Sequence, residues 1–147
     1  MLLNGAYAPL AAAGMKFLAS HQNANVTKRR AERGLCFVGE LNGKIVGTIT
    51  MYAPADTGDC PYYYQPGVWH FGQFAVKPEL QGVGFGEQLL NHVESKAIES
   101  GAVEIALDTS ENADRLIAWY VKRGYHPVGE MDWDATNYKS IILAKRL

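Results

Sequence analysis

The chain has 147 residues, of which 48% are hydrophobic and 20% charged, a balance typical of one globular domain with a buried core. Its 14 lysines and arginines against 15 aspartates and glutamates give a formal net charge of −1, which argues against a phosphate-binding nucleic-acid domain. No apolar run approaches the roughly 18 residues of a membrane-spanning helix, and the first residues lack the charged start of a signal peptide. We therefore expect one cytoplasmic domain over residues 1–147 that binds neither nucleic acid nor membrane.

The first third of the chain has a helical pattern. An alanine-rich stretch from about Asn4 to Ser20 predicts a helix that is interrupted near Pro9 and Gly14. Thr27 is expected to cap a second, short helix from Lys28 to Arg33. Gly34 then ends that helix.

The pattern then changes to strands. Two apolar, β-branched runs, Leu35 to Leu41 and Lys44 to Tyr52, flank Asn42-Gly43, a strong hairpin signal. A loop rich in proline, glycine and tyrosine precedes a third strand, Val68 to Val76. The remaining predicted elements are a helix from Gly84 to Ser100, a strand from Val103 to Asp108, a helix from Ala113 to Arg123, and strands from Tyr125 to Met131 and Asn137 to Lys145. This order predicts a mixed α/β domain.

The most informative motif is a glycine-rich loop, Gln81-Gly82-Val83-Gly84-Phe85-Gly86, which follows a predicted strand and opens a predicted helix. Glycines let backbone N–H groups converge on one point, and the helix N-terminus adds a positive dipole. The loop therefore predicts an anion site, for which a pyrophosphate is the natural ligand. Glu87 stands where a Walker A loop or a dinucleotide fingerprint needs other residues, so neither motif is present.

The spacing Gln-x-x-Gly-x-Gly at Gln81, Gly84 and Gly86 resembles the pyrophosphate loop of the GCN5-related N-acetyltransferases. The downstream segment from Asn112 to Tyr125 resembles that family's second conserved segment. This resemblance implies the acyl-CoA N-acyltransferase fold, a central mixed and mostly antiparallel sheet flanked by helices. It also implies an N-acetyltransferase that uses acetyl-CoA and needs no metal.

Several residues acquire expected roles from the resemblance. Tyr120 would lie beside the CoA sulfur and act as an acid, although a core aromatic is the alternative. Asn112 would contact pantetheine or simply cap a helix. The implied cofactor-binding residues are Phe74, Ala75, Val76, Gln81, Gly82, Val83, Gly84, Phe85, Gly86 and Asn112.

The resemblance further implies direct attack of an amine on acetyl-CoA in a ternary complex. Many family members place a glutamate on the strand before the loop, but Phe71-Gly72-Gln73-Phe74 contains none. His70 is the nearest titratable side chain, and it is either the base or a structural histidine.

The acceptor is expected to be a small amine or an amino-acid-like compound. Candidate pocket residues, which core aromatics and turn carboxylates would equally explain, are Tyr7, Phe17, Trp133, Tyr138, Asp132 and Asp134. The alternatives to this function are a catalytically weak, regulatory CoA-binding module and an acyltransferase that uses a longer acyl-CoA.

The family usually has a strand before its first helix, whereas helical sequence begins almost at once here. The segment Leu35 to Leu41 should then form a sheet edge, which presents unpaired backbone groups. We expect either the N-terminal segment to cover this edge or a second copy to pair with it as a homodimer.

Overall fold

A computed structural model describes residues 2–12, 14, 22–55, 60–133 and 137–147. Its helices are α1 (Leu2–Ala12), α2 (Ala24–Glu32), α3 (Phe85–Glu99) and α4 (Asp114–Val121). Its strands are β1 (Leu35–Leu41), β2 (Lys44–Tyr52), β3 (Val68–Val76), β4 (Glu104–Ser110), β5 (His126–Asp132) and β6 (Lys139–Arg146). The predicted element order is confirmed, and the first three strands have the predicted bounds.

The six strands form one sheet in the order β1-β2-β3-β4-β6-β5. Only β3 and β4 pair in parallel, so the expectation of a mixed, mostly antiparallel sheet is confirmed. The β1–β2 hairpin turns at Asn42 and Gly43, whose φ angles are 52° and 76°. Two consecutive positive φ angles are those of a type I′ turn, which matches the twist of the two strands.

Both faces of the sheet are covered. On one face, helix α3 buries Leu90, Val93 and Ala97 against the apolar side chains of the central strands, including Ile105 and Leu143. The segment around the 3₁₀ turn Pro61–Tyr64 covers part of the other face. Burial of apolar area on both faces is the main force that holds such a layered domain together.

The centre of the sheet opens where β3 and β4 separate. Their parallel pairing extends only from Val68 opposite Glu104 to His70 opposite Ala106, although both strands continue beyond it. On the other side of β3, Gly72 pairs with Thr50 and Ala75 with Thr48, so β3 carries one extra residue there. This β-bulge bends the strand away from β4 and so opens the sheet between them.

Three predictions about the helices are wrong. Helix α1 is not interrupted at Pro9 but runs through it to Ala12, because Leu3 packs on Ala75 of β3 and fixes the helix by a tertiary contact. Helix α2 begins at Ala24 rather than Lys28, and its cap is Asn23 rather than Thr27; the Asn23 side chain accepts from the Val26 N–H at 3.0 Å. The remainder of the predicted first helix, residues 13 and 15–20, lies outside the described residues.

Strand β1 lies at the edge of the sheet, as predicted. No strand precedes α1 in the described part of the chain, and Leu35 and Val38 are about half exposed, at 51% and 52%. Pairing of this edge with a second copy stays a prediction. None of the helices in the described ranges is long and apolar enough to cross a bilayer.

Candidate active site

A cleft of about 540 Å³ lies where β3 emerges from the sheet. Its floor is the end of β3, and helices α1 and α4 form its walls. The sequence-predicted residues that line it are Tyr7, Phe74, Ala75, Val76, Gln81, Gly82, Gly84, Gly86 and Tyr120. The structure therefore brings most of the predicted CoA-binding residues into one cavity.

The glycine-rich loop forms the end of this cleft. Gly82 and Gly84 have φ angles of 80° and 97°, which side-chain-bearing residues rarely adopt. The first helical hydrogen bond runs from the Gln88 N–H to the Gly84 carbonyl at 3.1 Å. Among the described residues, the backbone N–H groups from Gly82 to Glu87 donate to no backbone carbonyl. Free amides at a helix N-terminus suit a pyrophosphate.

Arginines add positive charge to this part of the cleft. Arg115, on α4, and Arg123, just after the end of that helix, both line it. Arg123 lies 3.7 Å above the Trp119 ring and 3.5 Å from the Glu87 carboxylate, so its guanidinium is held in place. Sequence reasoning missed these cations because single arginines on a helix carry no motif.

Tyr120 lies on the inner face of α4, is 3% exposed and lines the cleft. Burial, with smaller contributions from Tyr7 and Tyr125, raises the pKa of its phenol well above the ordinary value. The hydroxyl is therefore protonated at neutral pH, which is the state of a hydrogen-bond donor to a leaving thiolate.

Three predicted cofactor residues do not line the cleft. The Val83 side chain is 66% exposed, and Phe85 packs against the core. Asn112 is exposed in the turn before α4. It is not the helix cap, which is Ala113, so that alternative is wrong. Contact of Asn112 with pantetheine stays a prediction.

Asp108 is the carboxylate that sequence reasoning passed over. It lies on β4 two residues beyond the last β3–β4 pair, where the strands have separated. The Tyr63 hydroxyl donates to its Oδ1 at 2.7 Å and the Trp133 indole N–H donates to its Oδ2 at 3.0 Å. Burial raises the pKa of Asp108, while these two hydrogen bonds and Arg30 oppose the shift. An acidic residue within an apolar strand was the available signal.

His70 lies on the same face of the sheet. Its ring stacks against Tyr63 at 4.0 Å between centroids and against Tyr52 at 5.1 Å. Its Nδ1 is buried and has no hydrogen-bond partner among the described residues. Burial lowers the pKa of His70 from 6.5 to about 4, so the ring is neutral at pH 7 but has little affinity for a proton. Its role as base stays a prediction.

The lowered pKa of His70 predicts an acid-sensitive fold. The unfolded chain binds a proton near pH 6.5 and the folded chain only near pH 4, so this stability is present above pH 6.5 and is lost as the pH falls toward 4. The loss amounts to at most about 3.5 kcal/mol, because the pKa falls from 6.5 to about 4 and each pKa unit corresponds to about 1.4 kcal/mol. Urea unfolding at pH 7 and pH 4.5 should show a smaller acid loss for His70→Gln than for wild type.

His126→Gln, at an exposed histidine, is the matched control and should lose stability with acid as the wild type does. Equal acid loss in the wild type and His70→Gln would show that His70 does not cause it.

The structure places the other predicted pocket residues in different surroundings. The Tyr7 hydroxyl donates to the Phe74 carbonyl at 2.9 Å, so Tyr7 lies at the β3 bulge. The Trp133 indole N–H donates to Asp108, and burial, followed by the charge of Asp108, raises the pKa of Tyr138. Asp132 is exposed at the end of β5. Phe17 and Asp134 lie outside the described residues.

Residues 9–125 match the model of the acetyltransferase (GNAT) family. The chain belongs to this family. GNAT proteins use acetyl-CoA as the acetyl donor, and the family assignment makes this chain an N-acetyltransferase. Within the described ranges, no three His, Cys, Asp or Glu side chains converge in a way that could hold a metal ion.

Two curated GNAT relatives come from Bacillus subtilis (strain 168). S-(2-succino)cysteine N-acetyltransferase is 31% identical over 86% of this chain and 76% of its own length. S-alkylcysteine N-acetyltransferase is 30% identical over 90% of this chain and 74% of its own length. A GNAT acetyltransferase from Elizabethkingia anophelis, solved with acetyl-CoA bound, superposes with a TM-score of 0.66 at 17% identity, covering 85% of this chain and 84% of that one. This superposition confirms the predicted fold.

Proposed function

We propose that this chain transfers the acetyl group of acetyl-CoA to the amine of a small amino-acid-like acceptor, by direct attack in a ternary complex. The observation that carries the proposal is the arrangement around the opening between β3 and β4. The glycine loop and Tyr120 line a cleft at the end of β3. The half-buried carboxylate of Asp108 lies beyond the last pair of the two strands. The names of the two Bacillus relatives support an amino-acid acceptor.

The donor half of the site consists mainly of backbone. The amides of Gly82 to Glu87, assisted by Arg115 and Arg123, would hold the pyrophosphate. A backbone N–H near Phe74 to Val76 would donate to the oxygen of the thioester carbonyl as negative charge develops there.

The acceptor half needs a group that attracts an ammonium and removes its proton. Asp108 meets both requirements, because it is a carboxylate fixed by two donors and its raised pKa increases its affinity for a proton. As the amine nitrogen bonds to the acetyl carbon, the C–S bond breaks and the leaving sulfur takes the proton of the Tyr120 hydroxyl. The nitrogen gives up its second proton, which restores the Tyr120 hydroxyl, and Asp108 releases the first proton to solvent. The products are an N-acetylated acceptor and coenzyme A.

Incubation of the protein with acetyl-CoA and a panel of amines tests this function. With an S-alkylcysteine as acceptor, thiol detection should show release of coenzyme A from acetyl-CoA. Mass spectrometry should show one acetyl group added to the nitrogen of the acceptor. Release of coenzyme A at the same rate without any amine would instead indicate simple thioester hydrolysis.

Tyr120→Phe should lower kcat by about 10- to 100-fold, in the range of a lost proton donor, and leave acetyl-CoA affinity within about threefold. Tyr125→Phe is the matched control, because Tyr125 is an equally buried neighbour that lies outside the cleft lining. Steady-state kinetics and calorimetric titration of acetyl-CoA separate the two effects. Wild-type kcat in Tyr120→Phe would make Tyr120 a core residue only.

A further inference from the structure

Among the described residues, the Arg30 guanidinium forms no ion pair with a carboxylate. Arg30 lies on α2 and is half-buried, with its Nη2 3.9 Å from the point where a side chain at Gly72 would begin. Its guanidinium therefore lies against the backbone of β3, next to the bulge. The Tyr52 hydroxyl donates to the Arg30 carbonyl at 3.0 Å, which fixes this turn of the helix.

A network of neutral amides orients the guanidinium. Arg30 Nη1 donates to Gln22 Oε1 at 2.6 Å. The Gln22 amide nitrogen donates both to Thr27 Oγ1 at 2.8 Å and to Gln73 Oε1 at 2.7 Å, so its oxygen can only face Arg30. Gln22 is 4% exposed, and Gln73, also 4% exposed, adopts a φ of 52° at the bulge. Side-chain-bearing residues rarely adopt such a φ, and strained residues of this kind concentrate at functional sites.

Arg30 and Asp108 lie on the same face of the sheet without pairing. Arg30 and Tyr52 approach Gly72 from this face, Tyr52 and Tyr63 both stack on His70, and Tyr63 donates to Asp108. Among the described residues, no salt bridge within 4.0 Å joins Arg30 to any carboxylate, and none joins Asp108 to any cation. Burial is the main cause of the raised pKa values of Tyr7 and Tyr138; the charge of Asp108 adds to this shift and that of Arg30 opposes it. Arg30 also opposes the burial-raised pKa of Asp108. Each charge instead has neutral hydrogen-bond partners: Gln22 for Arg30, and Tyr63 and Trp133 for Asp108. Charges removed from water are normally paired with an opposite charge. A molecule that carries both a carboxylate and an ammonium would supply each of these charges with an opposite partner.

We propose that Arg30 binds the α-carboxylate of the acceptor, so that the enzyme selects free α-amino acids over amines that lack a carboxylate. Arginine offers a planar pair of donors that matches a carboxylate, and Nη2 makes no described hydrogen bond. With the carboxylate on Arg30, the adjacent ammonium is directed to Asp108. This inference rests on the proposed function and adds the acceptor class and the residue that selects it.

The test compares two acceptors, S-methyl-L-cysteine and the same amine without its carboxylate, 2-(methylthio)ethylamine. Wild type should prefer the amino acid in kcat/KM by about 30- to 1,000-fold, the range for a buried charged pair. Arg30→Gln should reduce that preference to below about threefold, and Arg30→Lys should leave an intermediate preference. Arg29→Gln, at an exposed neighbour on the same helix, should keep the wild-type preference.

A binding measurement separates this inference from the proposed reaction. Calorimetric titration of S-methyl-L-cysteine into the complex of the protein with coenzyme A should show binding to wild type that Arg30→Gln loses, even if no acetyl transfer occurs. The inference is wrong if wild type binds or acetylates the two acceptors equally well. It is also wrong if folded Arg30→Gln or Arg30→Lys keeps the full preference.

Discussion

Gly84→Val is expected to weaken acetyl-CoA binding by at least about 100-fold while the domain still folds. Gly84 lines the cleft at a φ of 97°, and a side chain there would meet no protein atom within 4 Å. Valine would therefore project into space that the protein leaves to its ligand, and would hold the phosphate away from the amides. Loss of two charge-assisted hydrogen bonds, at about 1.5–3 kcal/mol each, accounts for the expected factor.

Gly101→Val provides the control for backbone strain. Gly101 follows the other end of α3, has a φ of 89° and also has no atom within 4 Å of an added side chain. Both variants should lose similar stability, in the range of about 1–3 kcal/mol for a strained residue. Calorimetric titration of acetyl-CoA should then show loss only for Gly84→Val. Equal acetyl-CoA affinities in Gly84→Val and Gly101→Val would show that the pyrophosphate does not bind at the loop that contains Gly84.

The donor half of the site was predictable because it depends on local backbone. Glycines at fixed spacing after a strand dictate where N–H groups can converge, and neighbouring residues in the chain remain neighbours in space. The hairpin was predictable for the same reason, since Asn42-Gly43 specifies the turn that joins β1 to β2. Such features need no knowledge of tertiary contacts.

The helix predictions near the N-terminus failed for two reasons: the start of α2 is set by a local cap at Asn23, and α1 is held by a tertiary contact. Thr27 was a reasonable cap, but its hydroxyl instead accepts from Gln22 and donates to the Asn23 carbonyl. Pro9 normally ends a helix, but α1 continues past it where Tyr7 bonds to the Phe74 carbonyl. Phe74 is far from Tyr7 in the chain, whereas both partners of Thr27 lie within five residues of it.

The residues that we propose bind the acceptor, Arg30 and Asp108, could not be predicted from the spacing of residues along the sequence. Arg30 belongs to a run of three basic residues that has the pattern of a solvated helix face, and only its contact with Gln22 shows that it faces inward. Asp108 came at the end of a predicted apolar strand, and a single carboxylate there does not indicate which residues of other elements surround it. The sheet brings α2 and β4 together across β3, and this juxtaposition has no signature along the chain.

Asp108→Asn is expected to lower kcat/KM for the amine by about 100- to 10,000-fold, the range for loss of a general base. Asparagine keeps the size of the side chain but removes the negative charge and the site that takes the proton. Acetyl-CoA affinity should stay within about threefold, because Asp108 is not among the residues that line the donor cleft. Steady-state kinetics at saturating acetyl-CoA, with a melting curve to confirm folding, measures the effect.

The pH profile distinguishes loss of a base from loss of packing. Because burial raises the pKa of Asp108, its carboxylate becomes protonated and inactive as the pH falls through that raised value. Wild-type kcat/KM should therefore decline on the acid side, and the residual activity of Asp108→Asn should lack that decline. Asp132→Asn, at the exposed aspartate first considered from sequence, should keep both the rate and the profile of wild type. If Asp108→Asn instead retains the acid decline at a uniformly lower rate, another group takes the proton and Asp108 only orders the site.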